Sequence, residues 1–446
     1  VASCAPLSTL LPPHYREYLD TTLRSPMWAW LPAHEEIPSA TAVVSALGAA
    51  LGATLDVEMV SPPTVPDASW EMACTLGPRR FSLWAQKSRG TETLHLQKDH
   101  AVLSAEERDA LEKSRWSVGV VLTFGADPLD DFHFQLRALS AIAPNGVAAF
   151  DLMAFRLHHF EWVKESARSA ASPSPTSLFS IHFVSDERSP GWIHTHGLDR
   201  CGRLELEMFD VKPDDAGLLS ELLNSTAAFF LERSLPAPGE VVEVGRNLPV
   251  LWLPWEEALT RHGPKHGGGR ADRDVVHGHP TAVLFAPGKK FLGLFGSGLE
   301  LVSRHLPVLG ASPILYVSNA HTRRMEVLSR ERLPTLKALF TRLGANENFK
   351  FLVKLGYPTV DPTYGSREHI WFEVHSFGAE HVDATCINQP HAVPTLREGL
   401  RGTHELALVS DWTVFCPLGR FDAERVGLLI HVLENAPDEL RKELGV

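Results

Sequence analysis

Apolar residues recur at helical spacing in some stretches of the chain and alternate in others. Thr41–Leu51 is Ala-rich and reads as a helix. Ser104-Ala105-Glu106-Glu107 is a capping box, because Ser104 and Glu107 can satisfy each other's orphan backbone donors. Val118–Phe124 is apolar and β-branched, the pattern of a buried strand. Asp127–Ala143 follows as an amphipathic helix, with Phe132, Leu136 and Leu139 at helical spacing. Leu178–Val184, Trp192–His196 and Arg203–Phe209 read as strands. A helix capped by Asp214 or Asp215 then runs to about Arg233 and buries Leu218, Leu219, Leu222, Leu223, Phe229 and Phe230. Thr281–Ala286 and Ile314–Ser318 read as core strands and Ser329–Leu343 as a helix. Toward the end, Phe349–Leu355, Glu368–Ser376, Glu380–Asn388 and His404–Val409 read as strands, and Phe421–Glu434 as a closing helix.

The pattern predicts an α+β fold: mixed or antiparallel sheets with packed helices. The Pro/Ser break at Ala170–Ser177 suggests a division into residues 1–165, 178–345 and 347–446, the last a small α+β module. A chain of 446 residues with 44% apolar and 22% charged residues is of globular composition. A net charge of −12 argues against nucleic acid and against anionic membranes, since both need a basic surface. No apolar run is long enough to span a bilayer. Five scattered cysteines without a CxxC predict reduced thiols and a cytoplasmic protein. Val1-Ala2-Ser3-Cys4 resembles a lipoprotein cleavage box, so the alternative is a lipoprotein anchored through Cys4, if a leader precedes Val1.

Two stretches resemble bacterial families. Leu122–Pro144, the Ile181-His182 strand and the block Trp192, His194, Thr195, His196, Gly197, Leu198, Arg200, Cys201, Gly202, Glu205, Leu206, Glu207 look like domain-of-unknown-function family 4026, as does Pro254-Trp255-Glu256-Glu257. Residues 347–435 resemble the YegJ-like family 2314, through Val353, Lys354, Glu368, His369, Trp371, Glu373, Asn388, Pro390, Asp411 and Trp412. Its acidic loop is replaced here by Asp361-Pro362-Thr363-Tyr364-Gly365. Neither resemblance implies an assigned activity.

The first candidate site is the stretch around His194, His196, Arg200, Glu205 and Glu207. In an extended strand His194 and His196 share a face. A five-residue loop, Gly197–Cys201, would set His194 opposite Leu204 and turn both glutamates away. A six-residue loop would set His194 opposite Glu205, and one residue of slip separates the two. The first register predicts structural histidines that hold the loop Gly197–Cys201 by hydrogen bonds, with no metal. The alternative is zinc or another divalent metal on His194, His196 and Glu205. Arg200 beside Cys201 would favour a thiolate, but no base partner is identifiable.

The second candidate site lies on the polar face of Glu368–Ser376, with His369, Trp371, Glu373 and His375. Matching the apolar faces of this strand and the next pairs Val374 with Val382, around a loop holding Gly378. That register opposes His375 to His381 and Glu373 to Asp383, an unfavourable pair unless something compensates. Asn388, Asp411 and Trp412 are expected at the same rim, and an exposed Trp there marks a contact surface.

The glycine-rich stretch His262–Asp272 reads as a mobile surface loop rather than a phosphate cradle, and His277-Gly278-His279 as surface. There is no GxSxG, HExxH or GxxxxGK[ST]. The expected function is a non-catalytic protein that binds another protein or a small ligand, with no cofactor. The alternative is a metal-dependent hydrolase using the two histidines and a glutamate.

Overall fold

The computed structural model describes residues 11–88, 103–186, 189–233, 235–274, 276–288, 298–311, 319–359 and 366–435, with 442, 444 and 445. The fold is α+β, with three sheets among these residues. The chain divides into two compact units: residues 1–168 with 172–319, and residues 169–171 with 320–446.

The first unit holds two seven-stranded sheets. One runs in the order Asp56–Met59, Ala68–Leu76, Arg79–Lys87, Trp116–Thr123, Arg24–Trp30, Ala148–Asp151, Arg156–His159, antiparallel throughout. The amphipathic helix Pro128–Ile142 begins on an Asp127 cap and buries Phe132, Leu136 and Leu139. The Ser104 capping box is present as predicted. The other sheet runs Val242–Glu243, Pro249–Pro254, Thr281–Pro287, Glu205–Val211, Gly191–His196, Ser180–Val184, with Leu299–Glu300 beside Thr281–Pro287. Its one parallel pair among the described residues is Glu205–Val211 with Thr281–Pro287. Helix Ala216–Glu232 buries Leu219, Leu222, Leu223 and Phe230. A continuous core joins the two sheets, from Met27 and Val120 to Ile193 and Leu206. The expected division between residues 165 and 178 therefore falls inside one unit.

The second unit is built on a six-stranded antiparallel sheet, in the order Arg401–Glu405, His381–Cys386, Arg367–Phe377, Lys350–Pro358, Val409–Cys416, Gly419–Asp422. Its core includes Met325, Leu328, Leu336, Leu339 and Leu343 together with Phe351, Ile370 and Trp412. The core is thus continuous across residue 346, where a module boundary was expected. The helix expected at Ser329–Leu343 is two, Asn319–Glu331 and Leu333–Leu343, because Pro334 suits the opening turn of a helix and not its interior. The expected helix start at Phe421 is a strand residue, and the helix begins at Val426.

Val374 pairs with Ala384, and Phe377 takes Val382. A bulge between Val374 and Ser376 supplies the shift, and Gly378 N donates to His381 O across a tight turn. The expected Val374–Val382 register is not adopted, and the expected Glu373–Asp383 opposition does not arise. Glu373 faces Thr385. Asp383 lies against Arg401 in an ion pair.

Cys74, Cys201, Cys386 and Cys416 are free thiols; Cys4 and the expected strand at Ile314–Ser318 lie outside the described residues. Among the described residues no helix is long and apolar enough to cross a membrane.

Candidate metal centre

Three neighbouring strands of the first unit's second sheet assemble the site. His182 on Ser180–Val184 pairs with His194 on Gly191–His196, and His194 pairs on its other side with Glu207. Residues paired across antiparallel strands share a face, as do residues two apart in one strand. His182, His194, His196 and Glu207 therefore emerge on the same side. One ring nitrogen from each of His182, His194 and His196 lies within 4.8 Å of the others. The Nε2 atoms of His194 and His196 are 3.1 Å apart. Ring nitrogens bound to one tetrahedral metal at about 2.0–2.1 Å stand ~3.3 Å from each other, so His194 and His196 are already at ligand spacing and the full set would draw in by roughly 1.5 Å to close on an ion.

Charge favours the same reading. Burial first, then the neighbouring imidazoles, hold His194 well below its ordinary pKa and bring His196 down to about 2. Both rings are neutral at physiological pH and offer lone pairs, which suit a cation of the zinc, copper or nickel class. Nδ1 of His194 is buried without a hydrogen-bond partner. Phe155 packs its ring edge-on to His196 at 4.8 Å and closes one flank.

Neither register considered from sequence is adopted. His194 lies opposite Glu207, rather than Leu204 or Glu205. The connection is longer than either loop because Asp199–Cys201 coils into a 3-10 turn that ends on Gly202 in the left-handed region. Gly197 leaves the histidine strand at φ 108°, and a Cβ there would sit 2.6 Å from Leu178 O, so only glycine fits.

The two glutamates are both engaged. Glu207 receives both guanidinium nitrogens of Arg273, at 2.6 and 2.7 Å, and the Trp192 indole N–H at 3.2 Å. Glu205 accepts from the Thr195 hydroxyl and Gly197 N, each at 2.6 Å, and from Asp199 N at 3.2 Å. It is Glu205, then, that holds the loop Gly197–Cys201, the task expected of the histidines. Burial, reinforced by Asp199, raises the Glu205 carboxyl to about 8. Arg200 turns away into the core, where it meets Asp151 bidentately at 2.8 Å and Leu178 O at 2.8 Å. Burial pushes the Cys201 thiol up to about 12 against the opposing pull of Arg200, so no thiolate forms beside it.

One further residue packs against the cluster from the segment after the glycine-rich stretch. His277 packs against Trp192, His194 and His196 with ring centroids 4.9–5.2 Å apart. Its Nδ1 lies 2.9 Å from Asp274 Oδ1. His279 stacks on Tyr18 at 5.5 Å. The glycine-rich stretch is itself tied to the sheet: Lys265 N and His266 N donate to Asp210. A Cβ on Gly268, at φ 76°, would meet the Phe209 ring at 2.7 Å.

Residues expected in the second candidate site sit in the other unit and are dispersed among structural contacts. His369 Nδ1 is 2.7 Å from Ser410 Oγ, Asn388 Oδ1 receives Trp371 N at 2.8 Å, and His375 Nε2 is 2.7 Å from Thr385 Oγ1. Lys354 lies over the half-buried Trp371 ring at 5.4 Å, and Glu373 is 3.7 Å from Lys350. Trp412 is fully buried and donates to Ser329 O, while Asp411 receives Trp412 N and Ser329 Oγ. These two belong to the core packing and not to an exposed rim.

Sequence reasoning left His182, Arg273 and His277 out of the site. For His182 a signal existed: Ser180–Val184 alternates, and pairing it with Trp192–His196 in an even register places His182 beside one of the two histidines. Arg273 and His277 had none, because their position depends on how the loop packs.

The chain is therefore an α+β protein in which one sheet of the first unit gathers three histidines on one face. Residues 25–173 match the family described as protein of unknown function (DUF4026) N-terminal, and residues 181–285 match its C-terminal counterpart. The two matches cover more than half of the chain, which over residues 25–285 belongs to the DUF4026 family. Neither a curated protein nor a solved structure matches the chain.

Proposed function

We propose that the protein is a non-catalytic metal-binding protein whose ligand is one divalent transition-metal ion of the zinc class, held by His182, His194 and His196. The observation that carries this reading is the convergence of three ring nitrogens within 4.8 Å on one sheet face, two of the rings buried and His182 half-buried. Three packed imidazoles, with Glu205 and Glu207 both engaged elsewhere, accept a divalent cation more readily than protons. The hydrolase alternative relied on a glutamate. Glu205 is taken up by the loop and Glu207 by Arg273, so neither glutamate of that alternative is free to act as base at the ion.

The reading extends the expectation of a bacterial, cytoplasmic ligand-binding protein, with the ion as ligand. Reduced thiols among the described cysteines suit that compartment. The YegJ-like resemblance of residues 347–435 rests on its motifs, and we read that region as an appendage for a protein partner, with the half-buried Trp371 on its polar face.

Zinc should stabilise the folded chain. At zinc one-hundredfold above Kd the gain is about 2.7 kcal/mol, visible as a raised melting temperature that a chelator reverses. His196→Ala should abolish the shift. A melting temperature indifferent to zinc and to chelator would remove the reading.

A further inference from the structure

The three histidines leave one position of a tetrahedral ion to be filled, and His277 stands beside it. An imidazole centroid lies ~3.2 Å from a metal bound through nitrogen at about 2.0–2.1 Å, which sets two coordinated rings ~5.2 Å apart at the tetrahedral angle. Within the cluster the spacings are 4.8 Å for His194 and His196, 4.8 Å for His182 and His196, and 5.8 Å for His182 and His194. His277 keeps this spacing to two of the three rings, 4.9 Å to His194 and 5.2 Å to His196, while its nitrogens stand outside the 4.8 Å cluster of the other three, so its ring reaches the ion by turning inward. It comes from a different segment of chain, so strand register alone does not explain it.

Asp274 supplies a second, independent observation. Its Oδ1 is 2.9 Å from His277 Nδ1 and also receives His277 N at 2.9 Å. A carboxylate on one ring nitrogen fixes the tautomer and leaves Nε2 as the lone-pair donor, the usual outer support of a metal-bound histidine. The segment is anchored near this point, because Arg273 is locked on Glu207 and packs over Trp192 at 5.3 Å. The side chain of Trp192 lies against both His194 and His277.

We infer that His277 is the fourth ligand of the metal site, oriented by Asp274, so that the ion is enclosed by four imidazoles with no position open to substrate. The inference rests on the three-histidine reading and deepens it. It also explains why no base is needed: a closed four-coordinate site is structural or regulatory rather than hydrolytic.

The test is X-ray absorption fine structure at the zinc edge, on full-length protein loaded with one equivalent of zinc, joined to a zinc affinity measurement. Scattering from the imidazole carbons counts the coordinated rings. The wild type should show four. His277→Ala should show three rings and one light oxygen ligand. Asp274→Asn should keep four rings while weakening zinc roughly 10–100-fold, the range found for outer partners of metal ligands. Three rings in the wild type, with an affinity unchanged by His277→Ala, would overturn this inference and leave the three-histidine site standing. A wild type that takes up no zinc would remove both.

Discussion

His182 stands directly across from His194 on adjacent antiparallel strands, the two rings 5.8 Å apart. That register makes a cluster out of residues that are separately unremarkable. A one-residue slip of Ser180–Val184 would send His182 to the opposite face and leave only His194 and His196. The register is secured by the core: Ile193 and Leu206 are fully buried, while Thr195 receives Leu206 N through its hydroxyl at 2.8 Å.

Stability should fall on the acid side. His194 and His196 are held well below 6.5 by burial, and so is the buried His158, stacked on Trp162 at 4.2 Å. Each ring is neutral when folded and takes a proton on unfolding below pH 6.5. Their contribution is therefore present above 6.5 and lost as pH falls toward the lowered folded values. The slope approaches about 1.4 kcal/mol per pH unit for each ring. Urea unfolding of metal-free protein at a series of pH values from 7.5 to 5 (the probe range, roughly a unit or more either side of the free histidine pKa) measures it. His196→Gln should make the dependence shallower, and a flat profile would contradict the buried neutral cluster.

Arg200 and Asp151 form an ion pair with both side chains fully buried, flanked by the Phe124 and Phe132 rings at 5.1 and 5.0 Å. Arg200→Met strands the carboxylate of Asp151 in the core and should cost about 3–5 kcal/mol, seen as a large drop in melting temperature. Adding Asp151→Asn to that variant should recover part of the loss. Equal stability of wild type and Arg200→Met would mean that the pair is not buried.

Much of the fold was legible in the sequence, and the reason is periodicity. The Ser104 capping box, helix Pro128–Ile142 and strands Gly191–His196 and Arg367–Phe377 all follow from local patterns that tertiary packing reinforces. Register was less legible. The bulge after Val374 and the 3-10 turn at Asp199–Cys201 each displace a pairing without altering the apolar alternation on which the prediction rested. The site was half legible: two of its histidines alternate in one strand. His182 depends on pairing, and His277 on the fold of a glycine-rich segment whose side-chain pattern has no period.

Glu205 should behave as a neutral loop clamp. Its carboxyl is raised to about 8 by burial and by Asp199, so it is protonated in much of the folded population at pH 7. Glu205→Gln preserves shape and neutrality and should cost less than ~1 kcal/mol. Glu205→Ala leaves Gly197 N and Asp199 N unpaired and should cost ~1–3 kcal/mol, resolved by denaturant unfolding. Because a raised acid pKa favours the protonated folded form, the stabilisation from this group is present below the ordinary carboxyl range and fades as pH rises through about 8. Similar losses for the two variants would point instead to an ionised clamp.

The central claim is that one ion sits among His182, His194 and His196. Its most direct test is the zinc content of protein equilibrated with zinc and then dialysed against zinc-free buffer, compared with the double variant His182→Ala/His196→Ala. Mass spectrometric metal analysis should find one zinc per chain in the wild type and none retained in the variant, with circular dichroism unchanged between them. A wild type that retains no zinc, or a variant that retains as much, would contradict it.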